Sequence, residues 1–419
     1  MPANPFGRKE AGMTSQNGKN EGRRALAAAL ALMLTLSITA AAAGALPPVE
    51  TRQANAPYAP AFDGQTRAPG MRTQTPYRVQ ILSDELDAPW AVTALPDGRL
   101  AITQKGGTMR LYAEESGLGG VISGFPPVED GGQGGLLDVA PAPDYPQSRV
   151  LYFTLAERTQ GGSLTAVGRG RLSEDETRIL DFEILYRALP ANRTAAHYGS
   201  RLLFGPDGFL YVTAGDRQSA ANRVKAQEKG SAWGKVLRLT AQGLPAPGNP
   251  FEGMAGALDE VYTLGHRNPQ SLDLHPESGE IWLGEMGPRG GDELNLLLAG
   301  ANYGWPEVSY GIEYSGAPVG RGQAAAPGTE QPKYYWDPVL APGGMAFYTG
   351  DAIPEWKNDL FIGGLASRHI SRLKLDGTRV AGEERLLESE GQRFRDVADG
   401  GDGALYAVTD EGRLYRIGP

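Results

Sequence analysis

The sequence predicts an all-β fold, a six-bladed β-propeller. Three observations point to it. After Tyr77 a turn–strand–gap–strand unit recurs six times. Gly (58) and Pro (31) are abundant with no low-complexity run to absorb them, so the chain turns often. No amphipathic helix longer than two turns stands out; DELNLLLAGANYGWP (292–306) is the one stretch with room for a short one.

The first 45 residues stand apart. Arg23 and Arg24 precede the Ala-rich apolar run Ala25–Gly44, which ends in small residues suited to cleavage near 41–45. This is the pattern of a secretory signal peptide, so residues 1–45 are excluded from the fold. It predicts a periplasmic or secreted protein whose mature form is not inserted in a membrane. Residues 46–75, rich in Pro, Ala and polar residues, read as a flexible linker. The propeller is expected over 76–419.

The repeats follow in order. PDGRLAITQKGGTMRLY spans 96–112, and a weaker copy pairs RVLYFTLAE (149–157) with VGRGRLS (167–173). PDGFLYVTAGDR (206–217) leads to GKVLRLT (234–240), and ESGEIWLGEMG spans 277–287. WKNDLFIGGLASRHISRLKLDG (356–377) and GDGALYAVTDEGRLYRI (401–417) complete the set. Apolar residues alternate with period two, and Asp-Gly or a similar turn precedes most copies. Repeats of this size built from strands read as propeller blades, and their uneven spacing places long insertions on one face.

Composition removes several functions. A net charge of −9 argues against a nucleic-acid partner. There is no Cys, which excludes disulfides, thiolate metal sites and cysteine nucleophiles. No His-x-x-x-His pair, P-loop or G-x-S-x-G elbow is present. The chemistry-bearing types concentrate in Val261–Pro306: Arg267 and Asn268, the Gly287–Pro288 turn, the acidic pair Asp292–Glu293, and Tyr303 with Trp305. That mixture suits an anionic cofactor and one or two hard cations. His197, in a loop before a strand and close to Gly199, is the candidate general base. Gln133 sits inside GGQGG, where backbone can approach a ligand. Arg393 and Arg395 alternate and so share one strand face, an arrangement suited to carboxylates or phosphate.

Seven motifs in fixed order then resemble one family: GGQGGLLDVAPAPDY, HYGSRLLFGPDGFLYVTAGDR, GKVLRL, YTLGHRNPQSL, EMGPRGGDELNLL, NYGWP and RFRDV. The chain is similar to the soluble pyrroloquinoline quinone (PQQ)-dependent glucose and aldose sugar dehydrogenases over residues 80–417. The resemblance implies four-stranded blades and a PQQ cleft on the top face. It implies that aldoses are oxidised at the anomeric carbon to lactones, with electrons passed to an acceptor the sequence does not name. His197 matches the base and Arg267 the residue that polarises the quinone oxygen. Gln133, Asn268, Arg393 and Arg395 match cofactor contacts. Gly287 and Pro288 match carbonyl ligands of the cofactor's calcium; Asp292, Glu293 and Tyr303 match a second calcium site. A homodimer is common in such proteins.

The chain departs from the best-known glucose enzymes of that family at three places. Ala196 replaces an Asp beside the base, Ala366 replaces a cofactor-binding Lys, with Arg368 nearby, and Met286 replaces a Gln before the Gly-Pro turn. The orientation of His197 must therefore come from elsewhere. Two competing readings follow, a calcium-dependent propeller lactonase and a propeller that binds without catalysis. The first needs carboxylates converging on the central channel, whereas the sequence gathers them in one loop.

Overall fold

In a computed structural model, residues 46–419 are described; the expected signal peptide over 1–45 lies outside them. Six four-stranded antiparallel sheets form the blades of a propeller. The first strands of successive blades are Pro89–Ala94, Leu136–Pro141, Leu202–Phe204, Pro269–Leu274, Pro342–Phe347 and Phe394–Asp399, and they meet one another around the axis. The second strands are Leu100–Gln104, Val150–Thr159, Leu210–Ala214, Ile281–Glu285, Leu360–Gly364 and Leu405–Thr409. The Asp-Gly turns of the repeat join first to second strands, so the repeat visible in the sequence is the middle of each blade. The ring closes by borrowing: Arg78–Ser83, which precedes blade one, is the outer strand of blade six, with Val79 opposite Ile417. Closing the ring with the two ends of the domain leaves the blades no gap at which to open.

The hydrophobic core is divided into layers between blades. Trp90, Met109 and Leu111 of blade one pack on Leu137, Phe153 and Leu155 of blade two. Trp282, Leu294 and Trp336 of blade four pack on Phe347, Ile362 and Leu373 of blade five. Each sheet is covered on both faces, which is why its central strands carry buried residues at nearly every position. Polar clips reinforce the layers. Thr103 donates to the Leu137 carbonyl, Thr154 to Ser200, Thr213 to Pro269 and Ser271 to Gly343, each in the next blade. On alternate blades a first-strand carboxylate accepts the next blade's amide: Asp138 from Leu202 (2.7 Å), Asp273 from Phe347 (2.8 Å) and Asp396 from Val92 (2.8 Å).

Two segments differ from expectation. Residues 292–296, given room for a helix, form the third strand of blade four, Asp292–Leu296. Its apolar run fits either period, and pairing with Ile281–Glu285 decides. The segment read as a linker lies against the outer strands of blades four and five as a strap. Asn55 and Ala56 donate backbone N–H to the Asp337 carboxylate (2.7 and 2.9 Å), Ala68 N–H to Tyr334 Oη (3.0 Å) and Met71 N–H to the Glu383 carbonyl (2.9 Å). Strap hydrogen bonds thus cover strand edges that would otherwise stay open. Among the described residues no helix is long and apolar enough to cross a membrane.

Candidate functional site

Side chains reach the top face from two places in each blade. One is the approach to the first strand, which supplies Gln133, His197, Arg267, Asn268 and Arg393. The other is the exit of the second strand, which supplies Lys105, Asp216, Met286 and Asp410. Both ends of the Asp-Gly hairpin therefore meet on one face, and the ring brings residues of different blades together.

His197 is buried and held in the left-handed region at φ 50°, an uncommon backbone for a residue other than Gly. Its N–H donates to Gln133 Oε1 (2.7 Å). Its ring Nδ1 lies 2.7 Å from Asp216 Oδ1. Asp216 also accepts from Trp305 Nε1 (2.7 Å, to Oδ2) and from the Gln218 N–H (2.7 Å, to Oδ1). An ionised Asp216 requires the proton on Nδ1, which leaves the Nε2 lone pair as the acceptor of the site. Burial, then the Arg267 charge, hold His197 below its ordinary value against the pull of Asp216. Burial alone would raise Asp216, but its contacts with His197 and the charge of Arg267 hold it below the usual carboxylate range. Asp216 thus supplies the orientation that Ala196 does not.

Arg267 enters from blade four. Its backbone N–H donates to Glu285 Oε2 (2.7 Å), and its guanidinium lies 5.3 Å from the Trp305 ring centroid. Its Nη1 donates to the Gly287 carbonyl (2.6 Å) and the Met286 carbonyl (3.0 Å). Asn268 is fully buried, and its Oδ1 accepts from the Gly199 N–H (3.1 Å). That contact fixes the loop that carries His197. His197, Asp216, Arg267, Pro288 and Trp305 line a cleft of about 360 Å³.

A second basin of about 420 Å³ is lined by Trp90, Lys105, Gln133, Met286, Arg393, Arg395 and Asp410; Gln133 and Met286 in its wall bond His197 and Arg267 of the cleft. Arg393 Nε and Arg395 Nε both donate to Asp410 (2.8 Å each). Lys105 Nζ donates to the Gly132 carbonyl (2.8 Å). Three cations therefore face one carboxylate, a donor set suited to a polyanionic ligand. The glycines beside Gln133 serve a different end from the one expected. A Cβ on Gly132 would lie 2.3 Å from the Ala195 carbonyl, and one on Gly135 (φ 135°) 2.6 Å from that of Lys105. They admit neighbouring backbone, and Gln133 reaches the site with its side chain.

Of the residues expected to bind cations, Gly287, Glu293 and Tyr303 line one small hole together with Glu285, and Asp292 is bonded to Gly287. Asp292 accepts from the Gly287 N–H (2.8 Å) and from Leu340 and Ala341 (2.7 Å each), so both of its oxygens are committed. Tyr303 Oη donates to the Leu296 carbonyl (2.6 Å) and accepts from the Leu298 N–H (2.9 Å), and its ring stacks on His266. Glu293 is half-buried, accepts from Asn295 Nδ2 (3.2 Å) and lies near Glu285 on a hole of about 10 Å³, room for a single water. Burial, then Glu285, push Glu293 well above the usual carboxylate range. No group of three or more His, Asp or Glu that could hold a metal occurs among the described residues. Acidic residues do line the central channel, contrary to expectation: Asp138, Asp273, Asp396 and Asp399 lie there around Arg201. Arg201 pairs with Asp138 and Asp396, and each of the four carboxylates also accepts a backbone amide.

Sequence reading missed Asp216, Asp410 and Lys105. The signal was present: each directly follows or nearly follows a second strand, in TAGDR, TDEGR and TQKGG. Aligning the repeats by register would have exposed them.

Known proteins match this chain over most of its length. The family described as Glucose / Sorbosone dehydrogenase matches residues 86–416. The aldose sugar dehydrogenase YliI of Escherichia coli (strain K12) is 43% identical over 347 residues, covering 81% of this chain and 92% of that protein. A crystal structure of the soluble aldose sugar dehydrogenase from Escherichia coli, in the apo-form, is 42% identical with a TM-score of 0.79, covering 82% of this chain and 100% of that one. The PQQ-bound aldose sugar dehydrogenase of Streptomyces coelicolor is 28% identical with a TM-score of 0.67, covering 83% and 99%.

Proposed function

The chain belongs to the glucose/sorbosone dehydrogenase family, and on that premise we propose that it is a PQQ-dependent dehydrogenase that oxidises aldoses at the anomeric carbon to lactones. One observation carries this reading: the His197–Asp216–Trp305 chain opens beside a basin in which three cations face a single carboxylate. When bound, PQQ supplies the two-electron oxidant. His197 Nε2 takes the proton of the anomeric hydroxyl, and Asp216 stabilises the imidazolium that forms. Arg267 would offer positive charge to a quinone oxygen. Lys105, Arg393 and Arg395 would hold the cofactor's carboxylates, with Gln133 at the wall. The carbonyls of Gly287 and Pro288 would hold calcium, for which Arg267 gives up the Gly287 carbonyl. In the expected second cation set, Glu293 is the acidic side chain with oxygen capacity to spare.

The test is reconstitution. Purified protein given PQQ and calcium should reduce an artificial dye when supplied with aldoses. Failure across a sugar panel, with PQQ bound, would leave the non-catalytic reading. Lactone hydrolysis without PQQ would instead revive the hydrolase.

Two expectations follow for the reconstituted enzyme. First, kcat/KM should fall on the acid side with a midpoint below 6.5. Burial and Arg267 disfavour the imidazolium, so the neutral base is fully populated above that point and lost as pH drops through it. A pH profile in which the acid limb lies above 7 contradicts this. Second, Lys105→Met should weaken PQQ binding about tenfold, with the loss shrinking at high salt. Arg393 and Arg395 share Asp410, whereas the Lys105 ammonium bonds a neutral carbonyl and keeps its charge for a ligand. Quenching of tryptophan fluorescence, with Trp90 in the same basin, reads the affinity directly.

A further inference from the structure

Behind the wall of the His197 cleft lies a buried cation that the proposed chemistry does not use. Asp216, Gln218 and Ser219 line the cleft, whereas Arg217 between them turns into the protein and is 1% exposed. The backbone path makes this possible. Arg217, Gln218 and Ser219 have φ values of 59°, 49° and 79°, three successive residues other than Gly in the left-handed region. Such residues are uncommon singly and persist where their surroundings hold them. Here Asn222 Nδ2 donates to the Arg217 carbonyl (2.8 Å), and the Arg217 N–H donates to the His197 carbonyl (3.3 Å).

The guanidinium gathers the segment that carries the base. Its Nε donates to the Ala196 carbonyl (3.1 Å) and its Nη2 to the Thr194 carbonyl, both just ahead of His197. Its Nη1 donates to the Ser163 carbonyl (2.8 Å) and its Nη2 to Ser163 Oγ (3.3 Å), in the third strand of blade two. Its carbon lies 3.9 Å from the Tyr198 ring centroid, and the Tyr198 hydroxyl meets Ser163 Oγ at 2.7 Å. One side chain thus ties residues 194, 196 and 198 to the neighbouring blade. Among the described residues every acceptor of this guanidinium is neutral. A buried cation with no carboxylate among its acceptors is costly, and a neutral amide could bond some of these carbonyls without that cost. The charge has a neighbour on which to act. Asp216 and Arg217 face His197 from its own blade and Arg267 from blade four; Arg223 and Glu313, which also line the cleft, pair with each other. Arg217 is therefore a second positive charge beside the ring, and it opposes protonation of His197 as Arg267 does.

We propose that Arg217 is a positioning residue for the oxidation, holding the 194–197 segment so that His197 Nε2 faces the cleft. The proposal rests on the dehydrogenase reading. Its test places Arg217→Met and Arg217→Lys beside the wild type, all loaded with PQQ and calcium. It measures kcat and kcat/KM against pH with an aldose that the wild type oxidises, and PQQ affinity by tryptophan fluorescence. In Arg217→Met, kcat should fall roughly 10–100-fold, the scale for a base displaced by about 1 Å, while PQQ affinity stays within a few-fold. The acid limb of kcat/KM should move to higher pH, because a charge that opposes the imidazolium has gone. Arg217→Lys keeps the charge but not the planar fork that reaches Ser163, Thr194 and Ala196 together. Its kcat should fall too, with the acid limb left at the wild-type position. Wild-type kcat in Arg217→Met, a parallel loss of kcat and PQQ affinity, or an acid limb that is the same in all three proteins overturns the proposal while leaving the dehydrogenase intact. Absence of turnover by the wild type on every sugar overturns both readings.

Discussion

Turnover of the reconstituted His197→Ala variant is expected to fall by roughly 10²–10⁴-fold, the range for loss of a positioned base. PQQ affinity should stay within a few-fold, because the cationic basin is built from other blades. The geometry makes the expectation specific. Nδ1 is spent on Asp216 at 2.7 Å, so the ring has one free acceptor and one orientation. Asp216 in turn is held by Trp305 Nε1 and the Gln218 amide, so it cannot swing away. Asp216→Asn should therefore reduce turnover less than His197→Ala. It should also move the acid limb to still lower pH, since the charge that supports the imidazolium is gone. Steady-state kinetics beside a fluorescence titration with PQQ separate the two effects. Near-normal turnover in His197→Ala would remove the base from the mechanism.

The parts of this site that were legible in the sequence were local. Arg267 and Asn268 are adjacent, Arg393 and Arg395 alternate, and Gln133 sits between glycine pairs, so residue type and spacing were enough to select them. The partners that explain them are distant in sequence. Asp216 is 19 residues from His197, at the other end of the same blade's first hairpin; Trp305 is 89 residues from Asp216 and comes from the next blade's insertion. Such contacts exist because each hairpin returns to the top face and the ring brings successive top-face loops together. The fold was legible for a related reason. The turn and the strand after it repeat the same local chemistry in every blade, whereas the first and fourth strands vary with what they pack against. The strap over 46–75 shows the limit of composition: Pro and polar residues look like a linker, but Asp337, Tyr334 and Glu383 are positioned to receive their backbone. The acidic pair Asp292–Glu293 shows what residue type leaves unsaid: Asp292 also accepts three amides that fix the Gly287 turn, a role its sequence neighbours do not reveal.

Arg201→Met should be the most damaging change away from the cleft, lowering stability by about 3–5 kcal/mol at neutral pH and the unfolding temperature by on the order of 10 °C. Arg201 stands at the axis, and all six blades meet at it. It leaves blade three, pairs with Asp138 of blade two (3.2 Å) and Asp396 of blade six (3.0 Å), and donates Nε to the Gln270 carbonyl of blade four (2.7 Å). Its guanidinium lies 4.4 Å from the Trp90 ring centroid in blade one. A Cβ on Gly344 of blade five would come within 2.6 Å of its Nη2. Methionine fills much of the volume but leaves two buried carboxylates without their cation. The pH dependence distinguishes this from lost packing. Burial pushes Asp138 up to about 6 even with Arg201 present, and raises Asp396 as well. The folded state therefore binds more protons than the unfolded chain between the ordinary carboxylate value near 4 and that point, and stability declines as pH rises through the window. Without Arg201 the two carboxyls should resist ionisation to still higher pH, so the decline deepens and extends upward. The gap between variant and wild type should be wide at pH 8 and narrow at pH 5, where neutral carboxyls need no partner. Denaturation curves at the two pH values measure it, and a gap independent of pH would mean that Arg201 acts through its volume rather than its charge. Gln270 links this hub to the cleft: its carbonyl binds Arg201 while its side-chain oxygen accepts from Arg395 (3.3 Å). Loosening the axis should therefore also reach the cationic basin, and PQQ affinity in Arg201→Met should fall even though no residue of the basin has changed.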